Sequence, residues 1–188
     1  MKNLEDSKLF TPYQMGPVTL RNRVIRSAAF ESMGKDFGPS QDLKDYHVSV
    51  ARGGVGMTTL AYASINRSGV SFNSQLWLRD EIVPQLRDIT DAVHNEGAAV
   101  GIQIGHCGNM THYSTAGQIP IGPSTGINMY AYTPVRRMRK DEIRQVASDF
   151  GRAIHTAHEA GFDCVEVHAG HGYLISQFLS PYTNHRRD

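Results

Sequence analysis

Apolar residues along this chain follow two rhythms that take turns. Short apolar runs occur at Val24-Ile25, from Val55 to Ile65, from Ala98 to Ile104, and in Asp163-Cys-Val-Glu-Val-His168. Runs of this length, bounded by Gly and polar residues, predict strands. Between them the apolar positions space out to helical intervals. A helix is expected around Asp42 to Arg52, and another over Asp80 to Glu96, with Ile82, Leu86, Ile89 and Val93 on one stripe and Gly97 closing it. A third is expected over Asp141 to Ala160, with Ile143, Ala147, Phe150, Ile154 and Ala157 on its stripe and Gly161 as its stop. Strand and helix alternate, which argues for an α/β fold with a parallel sheet and helical crossovers, here four units.

Two connections are long. Arg67 to Arg79 and Gly105 to Arg139 exceed ordinary linkers, and the second is rich in Gly, Pro, Ser and Thr. Such loops over a rigid scaffold are read as ligand-facing. No domain boundary interrupts the pattern, and residues 1–188 read as one unit.

Composition narrows the function classes. The chain has 188 residues, 40% of them hydrophobic, enough for one sizeable core. The formal net charge is only +1, so neither nucleic acid nor an anionic membrane is an expected partner. The basic run Arg136-Arg137-Met-Arg139-Lys140 reads as a solvated face near a helix. Two cysteines, Cys107 and Cys164, suggest no disulfide framework, and Met1-Lys-Asn-Leu-Glu-Asp6 lacks the apolar core of a leader; both point to a cytoplasmic protein.

Candidate chemistry concentrates after the fourth strand. Alternation puts Val165 and Val167 on one face and Glu166 and His168 on the other, and the strand's carboxyl end is where α/β folds place ligands. His168 and His171, three apart around a glycine, can converge on one acceptor oxygen, and the Tyr173 phenol can supply a proton. Gln103 is an amide in an apolar strand and must find partners. His106 and Cys107 together with the two histidines imitate a zinc set, but the CxxC or HExxH spacing is missing, so no metal is expected.

The segment His168-Ala-Gly-His171-Gly172-Tyr173, followed by Gln177-Phe178-Leu179-Ser180-Pro181 and then Asn184, Arg186, Arg187 and Asp188, closely resembles the old yellow enzyme family with its HxxHGY or HxxNGY motif. Arg21-Asn22-Arg23 leading into Ser27-Ala28-Ala29, Gly53-Gly54-Val55-Gly56, and Gly101-Ile-Gln103-Ile-Gly-His106 extend the resemblance over essentially the whole chain. It implies a (β/α)8 TIM barrel, FMN as cofactor, NAD(P)H as reductant and an unsaturated carbonyl compound as substrate. His168 and His171 would grip the substrate carbonyl and Tyr173 would protonate the α-carbon. Ala28, Ala29, Phe30, Tyr62 and Gln103 would contact the flavin, Gln103 at its pyrimidine edge. Some members have Thr or Cys where this chain has Phe30, tuning the flavin potential by a hydrogen bond that Phe30 cannot make. Tyr62 stands where the family usually has a small residue: either its ring points outward or the correspondence with the family slips by one residue.

A complete barrel takes about 250 residues. In the resembling family the Asn-Arg-Arg-x-Asp pattern lies near the barrel's midpoint, and the phosphate contacts come later. This sequence is therefore expected to be the amino-terminal half of the barrel, working with its missing carboxyl-terminal half or as a homo-oligomer. A rival expectation is an inactive half-barrel serving only in assembly. A third, a metal-dependent hydrolase on the same barrel, has no recognised ligand set behind it.

Overall fold

The computed structural model describes residues 7–129 and 132–188. The amino-terminal stretch 1–6, read above as unlike a leader, lies outside them, as do residues 130 and 131 of the second long connection. Four strands form the central parallel sheet: β3 (Ile25–Arg26), β4 (Met57–Ser64), β5 (Ala99–Gly105) and β9 (Cys164–Val167), in the order β3-β4-β5-β9. Spatial order follows chain order without reversal. A doubly wound sheet reverses at its switch point, whereas a barrel does not. The structure is thus a partial (β/α)8 barrel.

Helices α1 (Gln41–Arg52), α2 (Val83–Asn95) and α4 (Lys140–Glu159) cover the outer face. The Ser40 hydroxyl caps α1 by accepting from the Leu43 N–H at 3.1 Å. Glu142 does the same service at α4, its Oε2 accepting from the Arg139 N–H at 2.7 Å. Gly97 and Gly161, at φ +75° and +84°, end α2 and α4 in the left-handed region, as their positions after the stripes implied. Leu86, Ile89 and Val93 of α2 meet Val100, Ile102 and Ile104 of β5 in the main core. Each such side chain contributes roughly 1.5–3 kcal/mol on burial.

One stripe differs from expectation. On α4, Ala147 is exposed and Ile154 is 44% exposed, while Ala153 and Ala157 are buried and Val146 and Phe150 pack against the core. Small alanines sit where α4 crosses the sheet and α2 closely, so the contact face is rotated from the one the largest side chains suggested. Ile143 packs instead in a second cluster with Ile121, Met138 and Leu174.

The connection from 105 to 139 is not a plain loop. It contains α3 (Tyr113–Ala116) and a three-stranded sheet, β6-β8-β7, of Ile121–Gly122, Thr133–Arg137 and Gly126–Asn128. An amino-terminal hairpin, β1 (Tyr13–Met15) with β2 (Val18–Leu20), was also not anticipated; Gly16, at φ +57°, turns it. The basic run is neutralised locally: Arg136 pairs with Glu142 at 2.7 Å and Arg137 with Asp188 at 3.0 Å. Cys107 and Cys164 are free thiols. Among the described residues no helix is long and apolar enough to cross a membrane.

Candidate active site

The four strands end on one side of the sheet, and the residues singled out from the sequence gather there. The β5–β9 register pairs Gln103 with Glu166, so both side chains point to the inner face, and the Gln103 amide donates to Glu166 Oε1 at 2.5 Å. That carboxylate is the partner the buried amide required. One residue pair on, the His168 N–H continues the ladder by donating to the Ile104 carbonyl at 2.8 Å.

The chain then makes a tight exit. His171 and Gly172 both adopt positive φ, 55° and 68°. The turn folds the second imidazole back onto the first, His171 Nδ1 lying 3.0 Å from His168 Nε2. Tyr173 follows at the start of α5 (Leu174–Leu179), its ring edge-on to His168 with centroids 5.1 Å apart. Burial lowers the His168 pKa, as does the neighbouring His171, while Glu166 opposes the shift. Neutral imidazole is therefore favoured on the inner side of the pair.

Gln177, which belongs to the same sequence motif, has a structural task. Its buried amide donates to the carbonyls of Cys107 at 3.1 Å and Gly172 at 2.7 Å, and its Oε1 accepts from the Asn109 N–H at 3.2 Å. The His171–Tyr173 turn is thus pinned to the end of β5. The Leu174 N–H, donating to the His106 carbonyl at 2.9 Å, adds a second tie.

Tyr62 does not turn outward. It is buried, and its ring centroid lies 5.7 Å from that of His168 and 5.2 Å from that of Tyr173. Its hydroxyl meets Ser71 Oγ at 2.6 Å. Burial above all, with Cys107 and Tyr173 nearby, raises its pKa far above the ordinary phenol value, so it stays protonated. Tyr62 falls in the stretch of β4 between Leu60 and Ala63 where its register with β5 shifts.

Beyond β3, Ala28 is half-buried and Ala29 exposed. Phe30, 39% exposed, stacks on Phe72 with centroids 5.0 Å apart and rings 23° from parallel. Phe72 belongs to the wall of a cleft of about 710 Å³, which Ser74, Met110, His112, His171 and Tyr173 also line. Nothing in the local sequence marked Phe72, and only the fold places it opposite the His–Tyr turn.

His106 and Cys107 do not join the histidine pair. His106 is buried, its Nδ1 accepting from the Gly108 N–H at 2.9 Å, which leaves Nε2 protonated and 3.2 Å from Ser68 Oγ. Ser68 Oγ donates to Asn66 Oδ1 at 2.8 Å, and the Asn66 amide donates to Asp149 Oδ2 at 2.6 Å. Burial lowers the His106 pKa to about 4 despite the pull of Asp149. For Cys107, burial pushes the thiol up to about 12, which makes it inert. Among the described residues no three His, Cys, Asp or Glu side chains form a metal-binding group.

A partial (β/α)8 barrel with imidazole, phenol and amide groups gathered at its strand carboxyl ends has the architecture of an α/β-barrel enzyme. A sequence model of the NADH:flavin oxidoreductase / NADH oxidase family matches residues 8–188, and the chain belongs to that family. FMN is the flavin of this family, and a reduced nicotinamide nucleotide its reductant. The chain is 41% identical to a 4,4'-dithiodibutanoate disulfide reductase from Rhodococcus erythropolis, over 96% of this chain and 45% of that protein. It is 40% identical to an NADPH dehydrogenase from Listeria welshimeri, over 97% of this chain and 54% of the relative. Among solved structures, an old yellow enzyme homologue from Zymomonas mobilis superposes with a TM-score of 0.88 at 30% identity, covering 97% of this chain and 54% of the other. The chain spans about half the length of these relatives.

Proposed function

We propose that this chain is the amino-terminal half of an FMN-binding barrel domain that uses NAD(P)H to reduce the activated C=C bond of a small unsaturated carbonyl compound. The observation that carries the reading is the convergence of His168 Nε2 and His171 Nδ1, 3.0 Å apart, beside Tyr173 at the rim of a cleft.

The donor set suits a flavin ring. Gln103 offers an amide donor and acceptor from the inner face, and the small Ala28 and Ala29 let a flat ring approach the backbone after β3. Tyr62 lies beneath the histidines and contributes a neutral aromatic floor. The cleft lining contains no Lys or Arg, so nothing there matches the phosphate of FMN. That end of the cofactor would be held by the strands that complete the barrel.

FMN, when bound, supplies the acceptance of hydride from NAD(P)H and its delivery to carbon. The residues of this chain polarise and protonate. His168 and His171 donate to one carbonyl oxygen in place of their bond to each other, stabilising the negative charge that develops on it. Tyr173 donates its phenolic proton to the α-carbon, and Phe72 and Met110 give the cleft wall an apolar surface for the substrate's carbon skeleton.

Titrating the purified chain with FMN, followed by visible absorption and flavin fluorescence, tests the reading. A saturable shift of the flavin band supports it. A free-flavin spectrum at every ratio, both for this chain and for the chain extended to a whole barrel, would leave the alternative of a half-barrel that serves only in assembly.

A further inference from the structure

Glu31 touches neither the cleft nor the histidine pair. Its side chain is nevertheless 3% exposed, in a pocket between β3, β4 and α1. A buried carboxylate needs several partners, and this one accepts hydrogen bonds from two elements, β3 and β4, with an α1 imidazole nearby. Arg26 Nη1 on β3 donates to Glu31 Oε1 at 2.6 Å, and His47 Nε2 on α1 lies 3.2 Å from the same oxygen. The Ala61 N–H of β4 donates to Oε2 at 3.2 Å. Ala61 falls in the stretch where the β4–β5 register shifts between Leu60 and Ala63, immediately before Tyr62.

Arg26 extends the grip. Its Nη1 also donates to the Thr59 carbonyl at 2.5 Å, and its Nη2 to the Ala29 carbonyl at 2.9 Å. The guanidinium lies over the Tyr46 ring, 5.2 Å from the centroid. One ion pair therefore holds the β4 backbone just before its irregularity, at Thr59, and within it, at Ala61, and also holds Ala29 of the segment after β3. Such a pair adds little net stability against an apolar replacement, because desolvation offsets its attraction, and its contribution is to select one geometry.

We propose that Arg26 and Glu31 are a positioning pair for the active site: they hold the irregular turn of β4 that aims Tyr62 at His168 and Tyr173, and fix the Ala28–Phe30 segment opposite. The consequence for catalysis rests on the functional reading above, but the positioning itself is a property of the chain alone. Glu31→Gln keeps the shape and loses the arrangement, since an amide presents one acceptor and one donor where Arg26 and Ala61 both require acceptors.

The test is hydrogen exchange and NMR on the whole chain without flavin. In E31Q, exchange at the Ala61 amide is expected to quicken about tenfold or more while the α2–β5 core amides hold their protection. The ring resonances of Tyr62 and His168 should shift, because ring currents depend on their mutual placement. Unchanged Ala61 exchange and unchanged rings in folded E31Q would overturn the proposal. Should E31Q not fold, Arg26→Lys keeps the charge and loses the fork, and faster exchange over residues 28–30 is then expected; unaltered exchange there would equally overturn it. FMN titration of the unsubstituted chain, alone and extended to a whole barrel, separates the two readings: FMN binding there with unmoved rings in E31Q sinks the positioning alone, and moved rings in E31Q with no FMN binding by either unsubstituted form sink the functional reading alone.

Discussion

His171 reaches His168 only because its backbone sits at φ 55°, in the left-handed region, which swings Nδ1 to within 3.0 Å of His168 Nε2. Non-glycine residues hold that conformation at a cost, and they do so mainly where the surroundings demand it. Here the demand comes from Gln177 and the Leu174 N–H, which pin the turn to the end of β5. Helix start, strand end and imidazole pair form one rigid assembly.

Replacing both histidines by Ala is expected to lower the rate of unsaturated-ketone reduction by about a hundredfold or more, the scale of losing preorganised donors to a developing oxyanion. FMN titration of the same variant should be unchanged. Near-normal turnover in stopped-flow measurements would remove the pair from the mechanism.

Tyr173→Phe retains the ring that packs on His168 and Tyr62 and removes only the proton. Flavin reduction by NAD(P)H should proceed normally, and reoxidation by an enone should slow by roughly 10²–10⁴-fold. Equal losses in both half-reactions would indicate damage to the fold.

Acid should destabilise the chain through His106. The imidazole has a pKa lowered to about 4 in the folded state against an ordinary value of 6.5, so between these pH values the unfolded chain binds the extra proton. Stability is complete above about pH 6.5 and falls as pH drops toward 4, by up to about 3 kcal/mol for this group alone. His168, also lowered by burial, acts in the same direction. Urea melts across this range should show the slope, and His106→Gln should flatten it.

Gly34→Ala tests the cleft wall. The Gly34 N–H donates to the Ser74 carbonyl at 2.9 Å, and a Cβ at Gly34 would run into that same oxygen. Moving backbone is expensive, so a loss of about 1–3 kcal/mol is expected. The displaced 72–74 segment should also separate Phe72 from Phe30. A crystal structure or thermal melt indistinguishable from the parent would contradict this packing.

The four β/α units, their helix stops at Gly97 and Gly161, and the His168–Tyr173 motif were legible in the sequence, because periodicity and turn chemistry are local. Family resemblance extended the reading to the barrel and to its flavin. Face assignments on α4 were not legible: Ala153 rather than Ile154 meets the sheet because helix crossing distance, a tertiary quantity, decides which side chains fit. The small sheet within residues 105–139 leaves no pattern in the sequence because its strands are two to five residues long and draw their stability from packing. Tyr62 could be named but not aimed. It lies within the irregular stretch of β4, next to Ala61, whose N–H donates to the buried carboxylate of Glu31 thirty residues earlier, a contact that no local pattern reveals. Sequence determined which chemistry could meet at the strand ends; the parallel register and the left-handed turn at His171 decided which side chains do, since distances between strands are set only when the sheet assembles.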